Sequence, residues 1–253
     1  MRHFTGYLPE RGTVMKTSRF RVSTVLTVAA LIIASALPLP AGATTLWYSG
    51  DYNGYSGLAN EVNSMISQSA VYECFTISGN DVVTSLWSNN MMNFTGVGEA
   101  VWAIRTGVGV GDGGTLIAGG ISSASQSATG GRGFGFDEYT IRVSGLNIRL
   151  APGTYWLTVA PVGFGSGRSF IATSDGRNGI GLSPAAKGNS FWDSTYFYSS
   201  FAKTPSVFGF SPDFSMGIEG DEIPTPEPAT LLLFGAGAAG AFLMRKRFGR
   251  QTC

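Results

Sequence analysis

The segment YTIRV, residues 139–143, alternates apolar and polar side chains. In an extended chain its apolar side chains share one face and its polar side chains share the other. The segment AVWAIR, residues 100–105, is mostly apolar, and an extended chain would place Ala100, Trp102 and Ile104 on one face and Val101, Ala103 and Arg105 on the other. This period of two predicts half-buried β-strands at both places.

Short β-type runs recur along the chain at roughly ten-residue spacing, separated by Gly, Asn, Ser and Pro. Between the two chain ends no long helical period appears, apart from one expected turn of helix at Leu58–Ile66. The pattern predicts an all-β fold, an antiparallel two-sheet sandwich of jelly-roll type. The predicted strands are Thr45–Tyr48, Val71–Ile77, Val82–Trp87, Ala100–Arg105, Thr115–Ala118, Tyr139–Val143, Leu146–Leu150, Tyr155–Val159, Arg168–Ala172, Phe191–Tyr198 and Phe214–Ile218.

The N-terminus has the three parts of a secretory signal peptide: a basic region, an uncharged and largely apolar run over 22–37, and a small-x-small site. We expect residues 1–43 to be removed by signal peptidase, with Met15 as the true start because residues 1–14 add only a polar extension. The residues that define the signal are Lys16, Arg19 and Arg21 in the basic region and Ala41 and Ala43 at the cleavage site.

The C-terminal segment 224–253 has the physical features of a membrane-sorting tail. Residues 229–244 carry no charge, and as a helix they would measure about 24 Å, slightly less than a hydrocarbon core. Arg245, Lys246 and Arg247 follow directly and favour the cytoplasmic side. We therefore expect a transmembrane helix at about 229–244. Since both chain ends are basic, residues 44–223 are expected to lie outside the inner membrane.

The same tail resembles a known sorting signal. Pro226-Glu227-Pro228, a Gly/Ala-rich apolar helix and Arg245-Lys246-Arg247 follow one another in the order of the PEP-CTERM signal of Gram-negative bacteria. The resemblance implies recognition by an exosortase, removal of the tail and a host that makes extracellular polysaccharide. Two details depart from the usual pattern, Thr225 in place of a common valine and six residues after the basic cluster. A plain membrane anchor that is never removed is the alternative.

The predicted exported region 44–223 has an acidic balance. It keeps eight basic and fourteen acidic residues, a net charge of −6, and contains no Lys/Arg cluster, so nucleic acid is not an expected partner. Its single cysteine, Cys74, cannot form an internal disulfide and is predicted to be buried. The only histidine, His3, precedes the region, which excludes Ser-His-Asp triads and histidine-based zinc sites there.

Clustered aromatic residues are the candidate binding residues. A first cluster includes Tyr52 and Tyr55, and a second includes Trp192 and Tyr196. Exposed aromatic rings could stack on sugars, whereas core packing accounts for most aromatic residues in a sandwich of this size. These four residues are the predicted glycan contacts.

Three other features of the sequence are weaker candidates for a functional site. The glycine run 107–114 is predicted to be a hairpin loop rather than a phosphate loop, because a strand follows it instead of a helix. Residues 51–57 lack the glycine and the final acid of an EF-hand, which leaves only a looser calcium site at Asp51, Asn53 or Asp112. Asp137 and Glu138 are adjacent and should face opposite sides of a strand, and the other acids have no partners in sequence.

The sequence therefore predicts a non-enzymatic, exported protein of the cell surface or the extracellular matrix. We expect exosortase and signal peptidase as its processing partners, the membrane as an anchor before processing, and no cofactor or metal. The final address is the cell envelope, the cell surface or the medium. A polysaccharide-binding, lectin-like module is the first alternative, and a carboxylate-based glycan hydrolase is the second.

Overall fold

A computed structural model describes residues 43–65, 67–94, 96–181, 188–223, 233–238 and 240–241. They all belong to one compact unit, Gly42–Cys253. The predicted signal peptide, apart from its last residue, and all six predicted sorting residues of the tail lie outside the described residues. In the described part of 43–223 there are fourteen strands and one short helix, so the predicted all-β class is confirmed.

The strands follow one another with short connections. In chain order they are β1 (Thr44–Tyr48), β2 (Tyr52–Ala59), β3 (Glu61–Asn63), β4 (Ser67–Ile77), β5 (Asp81–Met92), β6 (Glu99–Thr106), β7 (Thr115–Gly133), β8 (Phe136–Leu150), β9 (Gly153–Pro161), β10 (Ser169–Ser174), β11 (Phe191–Ser194), β12 (Ser199–Lys203), β13 (Asp213–Phe214) and β14 (Met216–Glu222). The helix α1 (Thr204–Phe208) lies between β12 and β13 and ends at Gly209 in the left-handed conformation.

The strands form a single hydrogen-bonded path rather than two separate sheets. Its order is β1-β14-β5-β8-β7-β6-β9-β4-β11-β12, and β2, β3, β10 and β13 attach beside it. All pairings between these strands are antiparallel, as predicted. The predicted division into two sheets of jelly-roll type is not confirmed by this topology.

Long strands that change partners bend the path over the core. The first half of β7, Thr115–Ser123, pairs with β6, and the second half, Ala124–Gly133, pairs with β8. As a result β1 and β4, which are distant in the path, contact each other across the core. The rings of Trp47 and Phe75 stack there with their centroids 5.3 Å apart.

The core confirms the faces predicted from alternation. Ile141 and Val143 of β8 and Ala100, Trp102 and Ile104 of β6 are all buried in the main cluster. A smaller cluster on the outer side of β4, β6 and β9 contains Cys74, which is buried as predicted. Burial raises the pKa of the Cys74 thiol to about 12, so the thiol stays protonated.

The expected helical turn at Leu58–Ile66 is wrong for the residues that the structure describes. Leu58 lies in β2, which ends at Ala59, and residues 61–63 form β3. Leu58 pairs with Ile171 of β10 through the backbone. Pairing with a strand more than a hundred residues away overrides the weak local helical signal, because intrinsic propensity is small beside tertiary packing.

The expected transmembrane helix at 229–244 is described only in part. Residues 233–238 and 240–241 are helical, and the other positions of the segment are not described. Within the described residues, no helix has the length and apolar character that a membrane span requires. The spanning segment stays a prediction from the sequence.

Candidate functional site

The connection between β11 and β12 carries the most exposed aromatic side chains near the predicted sites. We call residues 195–198 the aromatic loop. Its backbone is held by hydrogen bonds from the N–H of Thr195 to the Gln68 carbonyl (3.0 Å) and from the N–H of Phe197 to Ser194 Oγ (3.4 Å). Tyr198 closes the turn with a φ of +50°, a value in the left-handed region. The backbone of the loop is therefore held against β4 at its start and turns at Tyr198.

Contacts between aromatic rings support the aromatic loop. Phe197 packs on Trp192 at 5.1 Å between centroids, and Tyr196 meets Phe197 edge to face at 4.9 Å. Tyr196 is 59% exposed and Tyr198 is 97% exposed. Packing holds the Tyr196 ring in place. Much of the surface of both tyrosine side chains stays exposed to solvent, where a ligand with apolar faces and hydroxyl groups could bind.

Trp192, one of the predicted glycan contacts, lies in the core. It is 6% exposed, and its indole N–H donates to the Ala59 carbonyl at 3.0 Å. A buried indole with a satisfied donor cannot offer its face to a sugar. Trp192 contacts the aromatic loop through the ring of Phe197. Tyr198, which was not among the predicted contacts, is the most exposed ring of the loop.

The other two predicted contacts lie in β2. Tyr55 is exposed and meets Phe210 edge to face at 5.2 Å. Tyr52 is half-buried, and a Cβ added at Gly133 would lie 2.5 Å from its hydroxyl oxygen. Burial, followed by the Glu138 charge, raises the pKa of Tyr52. None of the ring contacts among the described residues joins Tyr52 or Tyr55 to the aromatic loop.

A polar network that the sequence did not indicate covers the outer side of β5. The Tyr48 hydroxyl donates to Asp51 Oδ1 at 2.8 Å, and Asn89 Nδ2 donates to the Tyr48 hydroxyl at 3.1 Å. The Thr140 hydroxyl in turn donates to Asn89 Oδ1 at 2.7 Å. Burial is the main cause that raises the pKa of Tyr48, so its hydroxyl stays neutral. No sequence signal could group these residues, because they come from β1, the β1–β2 connection, β5 and β8.

Glu138 lies beside this network on β8. It fills a bulge of β7, where Thr129 donates to Glu138 Oε2 at 2.5 Å, and its Oε1 is buried without a hydrogen-bond partner among the described residues. Burial raises the pKa of Glu138, and the Asp51 charge raises it further. Asp137 points the other way and pairs with Arg132 at 2.7 Å on the surface, as predicted for adjacent residues in a strand.

Three other buried or half-buried carboxylates hold neighbouring strands together. Glu61 pairs with Arg168 Nε at 2.8 Å and accepts from the N–H of Ser169 at 2.6 Å, which ties β3 to β10. Glu219 pairs with Arg142 across the outer face. Glu73 accepts from the N–H of Phe214 at 3.0 Å.

The residues considered for calcium are engaged in local hydrogen bonds. Asp51 accepts from Tyr48 with one oxygen and from Asn178 Nδ2 with the other, at 2.7 Å. Asn53 Oδ1 accepts from the Thr173 hydroxyl at 2.8 Å, and Asp112 Oδ1 accepts from the N–H of Gly114 at 2.9 Å. In the part of the chain that the structure describes, no three acidic, histidine or cysteine residues cluster as metal ligands would.

The glycine run 107–114 connects β6 to β7, as the hairpin prediction required. Gly114 needs its glycine, because its φ is +62° and an added Cβ would lie 2.2 Å from the Thr106 carbonyl oxygen. Gly113 lies against the Phe201 ring in the same way. The run is thus a turn packed against β12.

Comparison with known protein families identifies a sorting motif in the tail. Residues 224–247 match the PEP-CTERM protein-sorting motif. The chain is an exported protein sorted by exosortase. The match contains the predicted sorting residues Pro226, Glu227 and Pro228 and the basic cluster 245–247. Export to the cell envelope or surface and exosortase as a processing partner follow from the motif. A search of curated proteins finds no match to the chain.

Proposed function

We propose that this exosortase-sorted chain is a non-enzymatic protein of the cell surface or extracellular matrix of a Gram-negative bacterium that makes exopolysaccharide. The observation that carries the proposal is the sorting motif at 224–247, which begins two residues after the last strand of the β domain. The domain in front of it would be the working part, delivered outside and separated from its tail.

The position of the two domain ends supports this topology. β1 begins at Thr44, the first residue expected after signal-peptide removal, and Thr44 pairs with Gly220 of β14. The chain therefore enters and leaves the β domain at the same end of two neighbouring strands. Both predicted membrane segments attach there, so two cleavages at one end would release the whole domain.

Intact mass of the protein recovered from its host tests the proposal. We expect the tail to be absent when the exosortase is active, and to be retained in an exosortase deletion strain or when Pro226, Glu227 and Pro228 are all changed to alanine. Alanine at Pro205, outside the motif, is the matched control. If the tail is retained in every background, the chain is a permanent anchor and the sorting proposal fails.

A second candidate function is binding of exopolysaccharide by the aromatic loop. The observation that favours it is the Tyr196 ring, which packs edge to face on Phe197 and still leaves most of its surface exposed, beside the nearly free Tyr198. Aromatic rings that are held in place lose little conformational entropy on binding, which makes such positions effective contacts.

Affinity electrophoresis of the processed protein in gels that contain the host exopolysaccharide tests this binding. Tyr196→Ala and Tyr198→Ala should each weaken binding about 10-fold, the effect of losing roughly 1.4 kcal/mol. Phe164→Ala, which removes an aromatic ring of similar exposure elsewhere, should leave binding unchanged. Loss of binding in Tyr55→Ala but not in the loop variants would move the site to β2, and equal mobility with and without the polysaccharide would remove the function.

A further inference from the structure

The first half of β7 has one edge that no described strand pairs with. We call residues Thr115–Ser123 the β7 edge. They pair with β6 on one side, and β8 pairs with β7 only from Ala124 onward. A strand in a sheet has hydrogen-bonding groups on both sides, so this half of β7 presents a second row of N–H and C=O groups.

The residues whose backbone groups point to the open side can be identified from the strand period. The N–H of Ala124 donates to the Gly98 carbonyl on the β6 side at 2.9 Å. Hydrogen-bonding direction alternates along an antiparallel strand, so Ser122 and Gly120 also point toward β6. Gly119, Ile121 and Ser123 therefore direct their N–H and C=O groups to the open side.

The side chains of the β7 edge lack the features that keep edges apart. Leu116, Ile117 and Ile121 are exposed by 52%, 42% and 65%. No charged residue and no proline occurs from residue 115 to residue 131. Natural edge strands usually carry lysine, proline or a covering element, because an open apolar edge pairs with other strands.

We propose that the β7 edge pairs, in antiparallel orientation, with the β7 edge of a second copy of this chain. An uncharged strand fits best against an uncharged strand, since it offers no charge for an acidic or basic partner. The sequence is also self-complementary in shape. Pairing centred on Gly120 places Gly119 of each copy opposite Ile121 of the other. Each exposed isoleucine then lies opposite a glycine, which has no side chain to clash with it.

Symmetry and size define the expected assembly. Two identical edges related by a two-fold axis satisfy each other's unpaired backbone N–H and C=O groups. Pairing therefore stops at the dimer and gives no fibre. Centred on Gly120, the pairing joins residues 117–123 of each copy, because β8 pairs with β7 from Ala124 onward. Seven residues on each side make a small interface, at the low end of specific interfaces. The dimer should therefore be weak and should form only at high protein concentration.

Sedimentation velocity of the processed protein, purified from its host over a wide concentration range, tests the proposal. The native protein should shift from monomer to dimer as its concentration rises. Ile121→Pro removes one N–H on the open side and leaves the β6 pairing intact, so it should stay monomeric. Ile121→Lys should also stay monomeric, because the variant desolvates a lysine in each paired copy.

Val110→Lys is the matched control, since it introduces the same charge at an exposed apolar residue outside the β7 edge, and it should dimerise like the native protein. Hydrogen exchange over residues 115–124 gives an independent measure, with protection that increases with concentration only where dimers form. A native protein that is monomeric at every concentration overturns the proposal. So does a dimer that persists in both Ile121 variants, or a β7 edge protected by a different partner in envelope preparations.

Discussion

Glu73 shows at the scale of one residue how the fold handles a buried acid. It is wholly buried on β4, where loss of water contact and the nearby Asp213 charge raise the pKa of its carboxyl well above the usual range. An exposed glutamate is ionised at neutral pH, whereas the folded protein favours the protonated form of Glu73. The free energy of unfolding consequently depends on pH through this group.

Glu73→Gln should make the protein more stable at about pH 8 and change it little at about pH 4. The folded state keeps the Glu73 proton above the pH near 4.3 at which an unfolded glutamate loses it. Stability contributed by this group is therefore present at low pH and lost as the pH rises through the raised pKa. Glutamine stays neutral, and its carbonyl can still accept from the N–H of Phe214.

Urea unfolding at both pH values measures this difference. Glu99→Gln, a change at an exposed glutamate, serves as the control and should leave the pH profile of stability unaltered. A native protein whose stability does not fall between pH 4 and pH 8 relative to Glu73→Gln would contradict the assignment of a raised pKa.

Trp87 shows at the scale of elements how β5, β8 and β14 are joined on their outer face. Its ring lies 4.6 Å from the Arg142 guanidinium carbon and 5.8 Å from the Tyr48 ring. Gly217 of β14 lies directly opposite Trp87, and an added Cβ there would be 2.2 Å from the indole. The missing side chain at Gly217 is what lets the indole lie flat across the neighbouring strand.

Gly217→Ala should destabilise the domain by about 1–3 kcal/mol, the usual cost of forcing one extra carbon into a packed site. The midpoint of thermal or urea unfolding measures the loss. Gly98→Ala is the matched control, because a Cβ there would meet no atom within 4 Å. Equal stabilities for the two variants would mean that Trp87 can move aside at little cost.

At the same scale the strands that sequence patterns predicted best are the alternating ones. β8 was found because one face of residues 136–143 meets the core and the other does not, which leaves a period of two in the chain. β6 was found from its apolar run, since Ala103 on its outer side is buried in the smaller cluster. The prediction for β7 stopped at Ala118, whereas the strand continues to Gly133. Its Gly, Ser and Ala residues have little strand propensity, and hydrogen bonding to β6 and β8 makes them a strand.

At the scale of the whole molecule, the sorting motif and the β domain are close neighbours. β14 ends at Glu222, and Pro226 follows four residues later, at most about 14 Å away along an extended chain. Any protease that acts on the motif must therefore work beside the folded domain. β1 begins at the same end of the sheet, which places the predicted signal peptidase site there too.

A flexible insert of Gly and Ser residues between Ile223 and Pro224 should speed removal of the tail, because it gives the membrane protease more room beside the domain. Pulse-labelling followed by gel analysis measures the rate of processing. The same insert in the β7–β8 turn at Gly135 should leave that rate unchanged. Equal rates for the two inserts would show that the domain does not limit access.

The candidate binding residues were predicted less well than the fold. Aromatic composition pointed to the region around Trp192 and Tyr196, but whether a ring is buried depends on strands far away in sequence. Trp192 is covered because its indole reaches the Ala59 carbonyl of β2. The Tyr48–Asn89–Thr140 network was missed for the same reason, since its members meet only when β1, β5 and β8 are brought together.

By itself the sequence determined the sorting signal and the all-β class, because both depend on local order: a short motif followed by an apolar stretch and basic residues, and side chains that alternate with a period of two. Only the tertiary structure decided which aromatic rings are exposed, which carboxyls are buried and which edge of β7 stays open. These properties depend on contacts between residues far apart in the chain, and solvent exposure follows from what packs on a side chain rather than from its neighbours in sequence.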